Sequence, residues 1–140
     1  MNGVVLISGS GSNLQSIIDN SSEIDLNINC VISSNSDAYG LKRAEKAGIP
    51  IAIIDHKLFD SRLTADKEIM KVIDGSKAEV IILAGYMRIL SAGIIDNYLG
   101  KILNIHPSLL PKFKGLNTHQ RAIDAAEKIH GASVHFVTEE

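Results

Sequence analysis

Asn104 and His106 are the residues whose types and spacing most directly suggest chemistry. They lie in Ile102-Leu103-Asn104-Ile105-His106-Pro107-Ser108-Leu109-Leu110-Pro111, where an apolar run leads up to the pair and two prolines stiffen the loop after it. Two residues apart at a strand end, they share one side of the strand. An amide can hold a developing oxyanion and an imidazole can move protons, which together suit acyl transfer. The same residues would equally serve as a structural asparagine and a histidine bonded to nearby backbone. No Gly-x-Ser-x-Gly elbow supplies a nucleophile, so direct attack by a substrate amine is the simpler scheme.

A second constellation is Ser8-Gly9-Ser10-Gly11-Ser12-Asn13-Leu14. Two glycines let the backbone turn tightly, and hydroxyl and amide side chains stand where a helix begins. Free N–H groups and the helix dipole at such a point suit a phosphate. The dinucleotide fingerprint fails because Leu14 holds its third glycine position, and no Gly-Lys-Ser/Thr comes next for a Walker A loop. A turn closed by its own side-chain cap is the plainer alternative. Of the other histidines, His56, His119, His130 and His135, none has close ligand spacing to another. They read as solvated or core-edge side chains, and no metal is expected.

The elements that must carry these residues can be read from hydrophobic period. Short β-branched runs at 4–7, 28–33, 51–54, 80–83, 102–105 and 132–137 read as strands. Helical segments are expected at 14–20, 39–47, 62–73, 92–98 and 118–126. The third helix would put Leu63, Ile69, Met70 and Ile73 on one stripe, with Asp66, Lys67 and Lys71 facing water. Gly48 and Pro50 would close the second. Continuous apolar strands spaced by helices imply one α/β domain over 1–140, a doubly wound and mostly parallel sheet with helices on both faces. Ligands in such sheets bind beyond the carboxyl ends of the strands.

Composition adds boundaries. The 140 residues are 45% hydrophobic and 21% charged, with a formal net charge of −2 and no basic run, so no nucleic-acid footprint is expected. The single cysteine, Cys30, sits in an apolar run and reads as a buried structural thiol. No apolar stretch approaches the ~20 residues needed to cross a bilayer, and the N-terminus lacks the basic region of a signal peptide. The expectation is a cytoplasmic protein without a membrane partner.

Three blocks together, the glycine loop, Leu83-Ala84-Gly85-Tyr86-Met87-Arg88-Ile89-Leu90, and Asn104-Ile105-His106-Pro107-Ser108-Leu109-Leu110-Pro111, resemble the glycinamide ribonucleotide formyltransferase family of purine synthesis, with a Rossmann-like formyltransferase fold. The resemblance implies transfer of a formyl group from 10-formyltetrahydrofolate, as co-substrate, to the amine of phosphoribosylglycinamide. By that resemblance Gly11, Ser12 and Asn13 hold the substrate phosphate. Arg62, Met87, Arg88, Ile89, Leu90 and Asn104 bind the folate, and Asn104 and His106 are catalytic. The partners implied are these small molecules, and the protein itself a monomer or homodimer.

Lys114-Gly115-Leu116-Asn117-Thr118-His119 departs from the Pro-Gly-x-His form of many family members, which leaves Asn117 and His119 without an implied role. The family pattern also runs on from Gly131-Ala132-Ser133-Val134-His135-Phe136-Val137-Thr138 into a catalytic aspartate, which by that alignment falls two residues after Glu140. The chain is therefore expected to be a fragment, incomplete at its C-terminal end and inactive alone. Other formyl-folate enzymes, such as a methionyl-tRNA formyltransferase or a formyltetrahydrofolate hydrolase, share the Asn-x-His core but not the glycine loop. A non-catalytic nucleotide- or folate-binding module is the alternative from a different class.

Overall fold

The runs Val4-Val5-Leu6-Ile7 and Val80-Ile81-Ile82-Leu83 have no polar side, so a sheet built on them must be covered on both faces. In the computed structural model, which describes residues 1–106 and 133–136, they form its two central strands. These are β1 (Asn2–Ile7) and β4 (Val80–Ala84). Outward lie β2 (Asn27–Ser33) and β3 (Ile51–Ile53) on one side, β5 (Ile102–His106) and β6 (Ser133–Phe136) on the other. The order is β3-β2-β1-β4-β5-β6, with every pair parallel except the antiparallel β5–β6.

Alternate residues of each strand feed opposite cores. Val5 and Ile7 pack with Leu14 and Ile17 of α1 (Ser12–Asn20) and Leu41 and Ala44 of α2 (Gly40–Lys46). Val4 and Leu6 pack with Ala65, Ile69 and Ile73 of α3 (Arg62–Gly75) and Ile94 and Ile95 of α4 (Ala92–Asn97). The sheet is thus doubly wound, and the chain reverses direction of travel across it between β1 and β4. Among the described residues no helix is long and apolar enough to cross a membrane.

Helix ends obey local chemistry. Ser61 and Ser91 cap α3 and α4 by accepting from the N–H groups of Thr64 and Ile94. After α2, Ile49 N–H reaches the Ala44 carbonyl at 2.9 Å and Gly48 N–H the Glu45 carbonyl at 3.0 Å, a Schellman closure. It needs a left-handed residue at position 48, and Gly48 has φ 74°. Cys30 is buried, and burial pushes its thiol pKa up.

The α3 stripe differs from expectation. Asp66 is only 3% exposed, whereas Leu63 is 63% exposed. Asp66 stands three residues before Ile69, roughly 60° round the helix, while Leu63 stands six before it and roughly 120° away. Asp66 therefore points inward. Its carboxylate is met there by His56 Nε2 at 3.3 Å, from the 3₁₀ turn His56–Leu58. The expected helix at 118–126, the loop after His106, Asn117, His119 and His130 lie outside the described residues.

Candidate active site

Parallel strands end together. Ile7 of β1 is level with Ser33 of β2, Leu6 with Leu83 of β4, and Ala84 with Ile105 of β5. The segments after β1, β2 and β4 therefore leave from one edge of the sheet, the edge at which β5 also ends. The glycine loop, Met87–Ile89 region, Asn104 and His106 all belong to that edge, although up to about a hundred residues separate them in sequence.

Gly11 takes the N-cap position of α1 with φ 77°, a left-handed conformation that favours glycine. A Cβ there would lie 2.5 Å from the Gly40 Cα, because the backbones of loop and α2 touch. Gly40 N–H donates to the Gly9 carbonyl at 3.1 Å. Among the described residues no side chain caps α1, so the turn is not closed by its own hydroxyl or amide. The first-turn N–H groups have no intrahelical acceptor, and such groups suit an anion. Ile7 and Leu14 are buried in the core and leave this space clear.

Arg43 of α2 steadies the loop, a role that local sequence signals did not reveal. Its Nε donates to the Ser10 carbonyl at 2.8 Å and its Nη1 to Gln15 at 3.3 Å. The guanidinium also stands 4.9 Å from the Tyr39 ring centroid. A cation so placed adds positive potential where the dipole of α1 already favours an anion.

On the α3 side of the same edge lies a cavity of about 480 Å³ lined by His56, Phe59, Arg62, Met87, Arg88 and Ile89 among others. Arg62 reaches across it to donate to the Ile89 carbonyl. Arg88 stands 3.9 Å from Asp55. Met87 and Ile89 are 82% and 81% exposed, an unusual state for two large apolar side chains on one loop. Two guanidinium groups beside an apolar rim suit a flat, partly aromatic ligand with an anionic tail. Leu90 points the other way and is buried in the α3–α4 core.

Beneath the cavity, burial and then the nearby Asp66 charge push the Tyr86 phenol up to about 12. Its hydroxyl and His56 Nδ1 are buried without a hydrogen-bond partner among the described residues. Asn104 and His106 occupy alternate positions of β5, paired with His135 and Ser133 of β6. Asn104 is half-buried. Among the described residues no three His, Cys, Asp or Glu side chains gather to hold a metal ion.

A formyl transferase family model matches residues 1–140. The chain is 50% identical to the phosphoribosylglycinamide formyltransferase of Escherichia coli over 142 aligned residues, covering 100% of the chain and 67% of that protein. It is 53% identical to the Haemophilus influenzae protein of the same name, covering 97% of the chain and 65% of that protein. It is 46% identical to the human trifunctional purine biosynthetic protein adenosine-3, covering 97% of the chain and 14% of that protein. Among solved structures, the phosphoribosylglycinamide formyltransferase of Coxiella burnetii superposes with a TM-score of 0.80 at 50% identity, over 99% of this chain and 66% of the other. The Brucella melitensis enzyme gives 0.80 at 43% identity, over 99% and 73%. The chain thus spans about two thirds of the length of the bacterial relatives it matches.

Proposed function

The chain belongs to the formyl transferase family, and from that premise we propose that it carries the ligand-binding edge of a phosphoribosylglycinamide formyltransferase acting in purine biosynthesis. The reading rests chiefly on one observation. An uncapped helix start, a cavity with two arginines and an apolar rim, and the Asn104–His106 strand end leave the sheet at a single edge. A phosphorylated substrate and a folate need to meet at such a place.

In this reading the phosphate of the ribonucleotide rests on the N–H groups of Gly11, Ser12 and Asn13. The formyl-folate lies along Met87, Arg88 and Ile89, with Arg62 toward its anionic tail and Leu90 anchoring the loop from below. The substrate amine attacks the formyl carbon, a C–N bond forms, and the bond from that carbon to N10 of the folate breaks. Asn104 donates to the formyl oxygen as negative charge develops there. His106 moves the proton, which leaves the amine nitrogen as N10 gains one. The products are the formylated ribonucleotide and tetrahydrofolate. A cytoplasmic location and small-molecule partners go with the reading.

His106→Ala and Asn104→Ala test it, assayed in this chain joined to the C-terminal third of the Escherichia coli relative. Groups that act as the transition state forms lower kcat more than they raise KM. His106→Ala is expected to lose about a hundredfold or more in kcat, with KM for both substrates nearly unchanged. Near-normal turnover in His106→Ala would falsify the assignment.

A further inference from the structure

We propose that Ser8 is a positioning residue for the folate-side loop, holding it in place from the strand that ends in the glycine loop. The inference rests on the proposed contact of Met87, Arg88 and Ile89 with the formyl-folate. Ser8 comes directly after the last residue of β1 and is buried. Its Oγ accepts from the Met87 N–H at 2.8 Å, across 79 residues of sequence. It also lies 2.6 Å from Ser34 Oγ, just past the end of β2. One hydroxyl therefore joins the segments after three strands.

The loop between β4 and α4 needs such a hold. It contains no helix or strand; Leu90 and Tyr86 pack at its two ends, but the stretch between them exposes Met87 and Ile89, which give it no packing. Its backbone is tied on either side of Arg88, at Met87 N–H by Ser8 and at the Ile89 carbonyl by Arg62. Arg62 is exposed and, in the proposed reading, faces the ligand. Ser8 is buried and faces only protein, so it can fix the loop before any ligand arrives. Removing its hydroxyl leaves the Met87 N–H without an acceptor. Fixing a loop in its bound form in advance lowers the cost of binding.

Ser8→Ala tests this on the 140-residue chain, with Ser34→Ala as the comparison that keeps the Met87 bond. Two quantities are read: hydrogen exchange at the Met87 amide, and the Kd values for 10-formyltetrahydrofolate and for phosphoribosylglycinamide. In Ser8→Ala, Met87 exchange is expected to rise and folate affinity to fall, each about tenfold, the upper end for one hydrogen bond. The ribonucleotide Kd should move by less than about twofold, because the proposed phosphate contacts are N–H groups of residues 11–13, in a loop held by Gly40 and Arg43 rather than by the Ser8 hydroxyl. Ser34→Ala should change neither quantity beyond that margin. Unchanged Met87 exchange overturns the proposal, and so does an equal loss for both ligands, which would mark a general structural role. Raised Met87 exchange with unaltered folate affinity overturns it as well. A wild-type chain that binds no folate contradicts the reading of the cavity itself, a result distinct from a wild type and Ser8→Ala that bind equally.

Discussion

At the scale of single residues, the pair His56–Asp66 shows how a polar side chain is kept inside. The Asp66 carboxylate is buried and its partner is His56 Nε2, itself about one-tenth exposed on its side chain. Removing the imidazole leaves the buried Asp66 carboxyl group without its hydrogen-bond partner, which typically costs about 1–3 kcal/mol. His56→Leu is expected to lower the unfolding free energy by that order, measured by urea titration. The double variant His56→Leu, Asp66→Leu should lose less than His56→Leu alone, because no stranded carboxylate remains. A double variant less stable than His56→Leu would contradict the account of Asp66. The sequence singled out the glycine loop and the Asn104–His106 pair as candidates because their types and spacing are local. It did not disclose Asp66, Ser8 or Arg43, whose roles depend on partners 10, 79 and 33 residues away. For Asp66 a signal was available: its place three and seven residues before Ile69 and Ile73 is a core position of α3.

At the scale of elements, strands and helices were legible because apolar period and end signals agreed. The expected strand at 80–83 is β4 (Val80–Ala84), and the expected helix at 62–73 is α3 (Arg62–Gly75), extended by two residues. Less legible was how helices touch one another. Tyr98, just after α4, donates its hydroxyl to Asp74 of α3 at 2.7 Å. Burial, then this bond and the Asp74 charge, push its phenol well above the ordinary value of 10.0. Tyr86 is raised in the same sense, to about 12. A raised folded pKa means that the folded chain keeps protons the unfolded chain gives up near pH 10. Stability is therefore full below that pH and falls as pH rises toward the folded values. Urea midpoints measured at pH 7, 9 and 11 should decline mainly in the last interval. Tyr98→Phe should lower stability at pH 7 by about 1 kcal/mol, for one lost hydrogen bond, and make the alkaline decline shallower. An alkaline decline as steep as that of the wild type would show that Tyr98 is not its source.

At the scale of the whole molecule, β1 stands at the sheet's centre, and the two segments proposed to hold different ligands leave from its end and from the end of its neighbour. The glycine loop continues β1 itself, and the folate-side loop continues its neighbour β4. Strand order places them together, and strand order is what local sequence signals do not specify, since period identifies a strand without naming its neighbours. The fold class pointed to the loops at the carboxyl ends of the strands, and the family resemblance paired two of them with two ligands. The arrangement makes a direct demand on the isotope-labelled 140-residue chain in solution. Amide resonances would be tracked by nuclear magnetic resonance while phosphoribosylglycinamide and 10-formyltetrahydrofolate are added separately. The ribonucleotide is expected to shift the amides of Gly11, Ser12 and Asn13 most, and the folate those of Met87, Arg88 and Ile89 together with the Arg62 side chain. Absence of shifts with both ligands, or the largest shifts at the opposite end of the sheet near Asn27 and Gly48, would contradict the assignment of this edge as the active site.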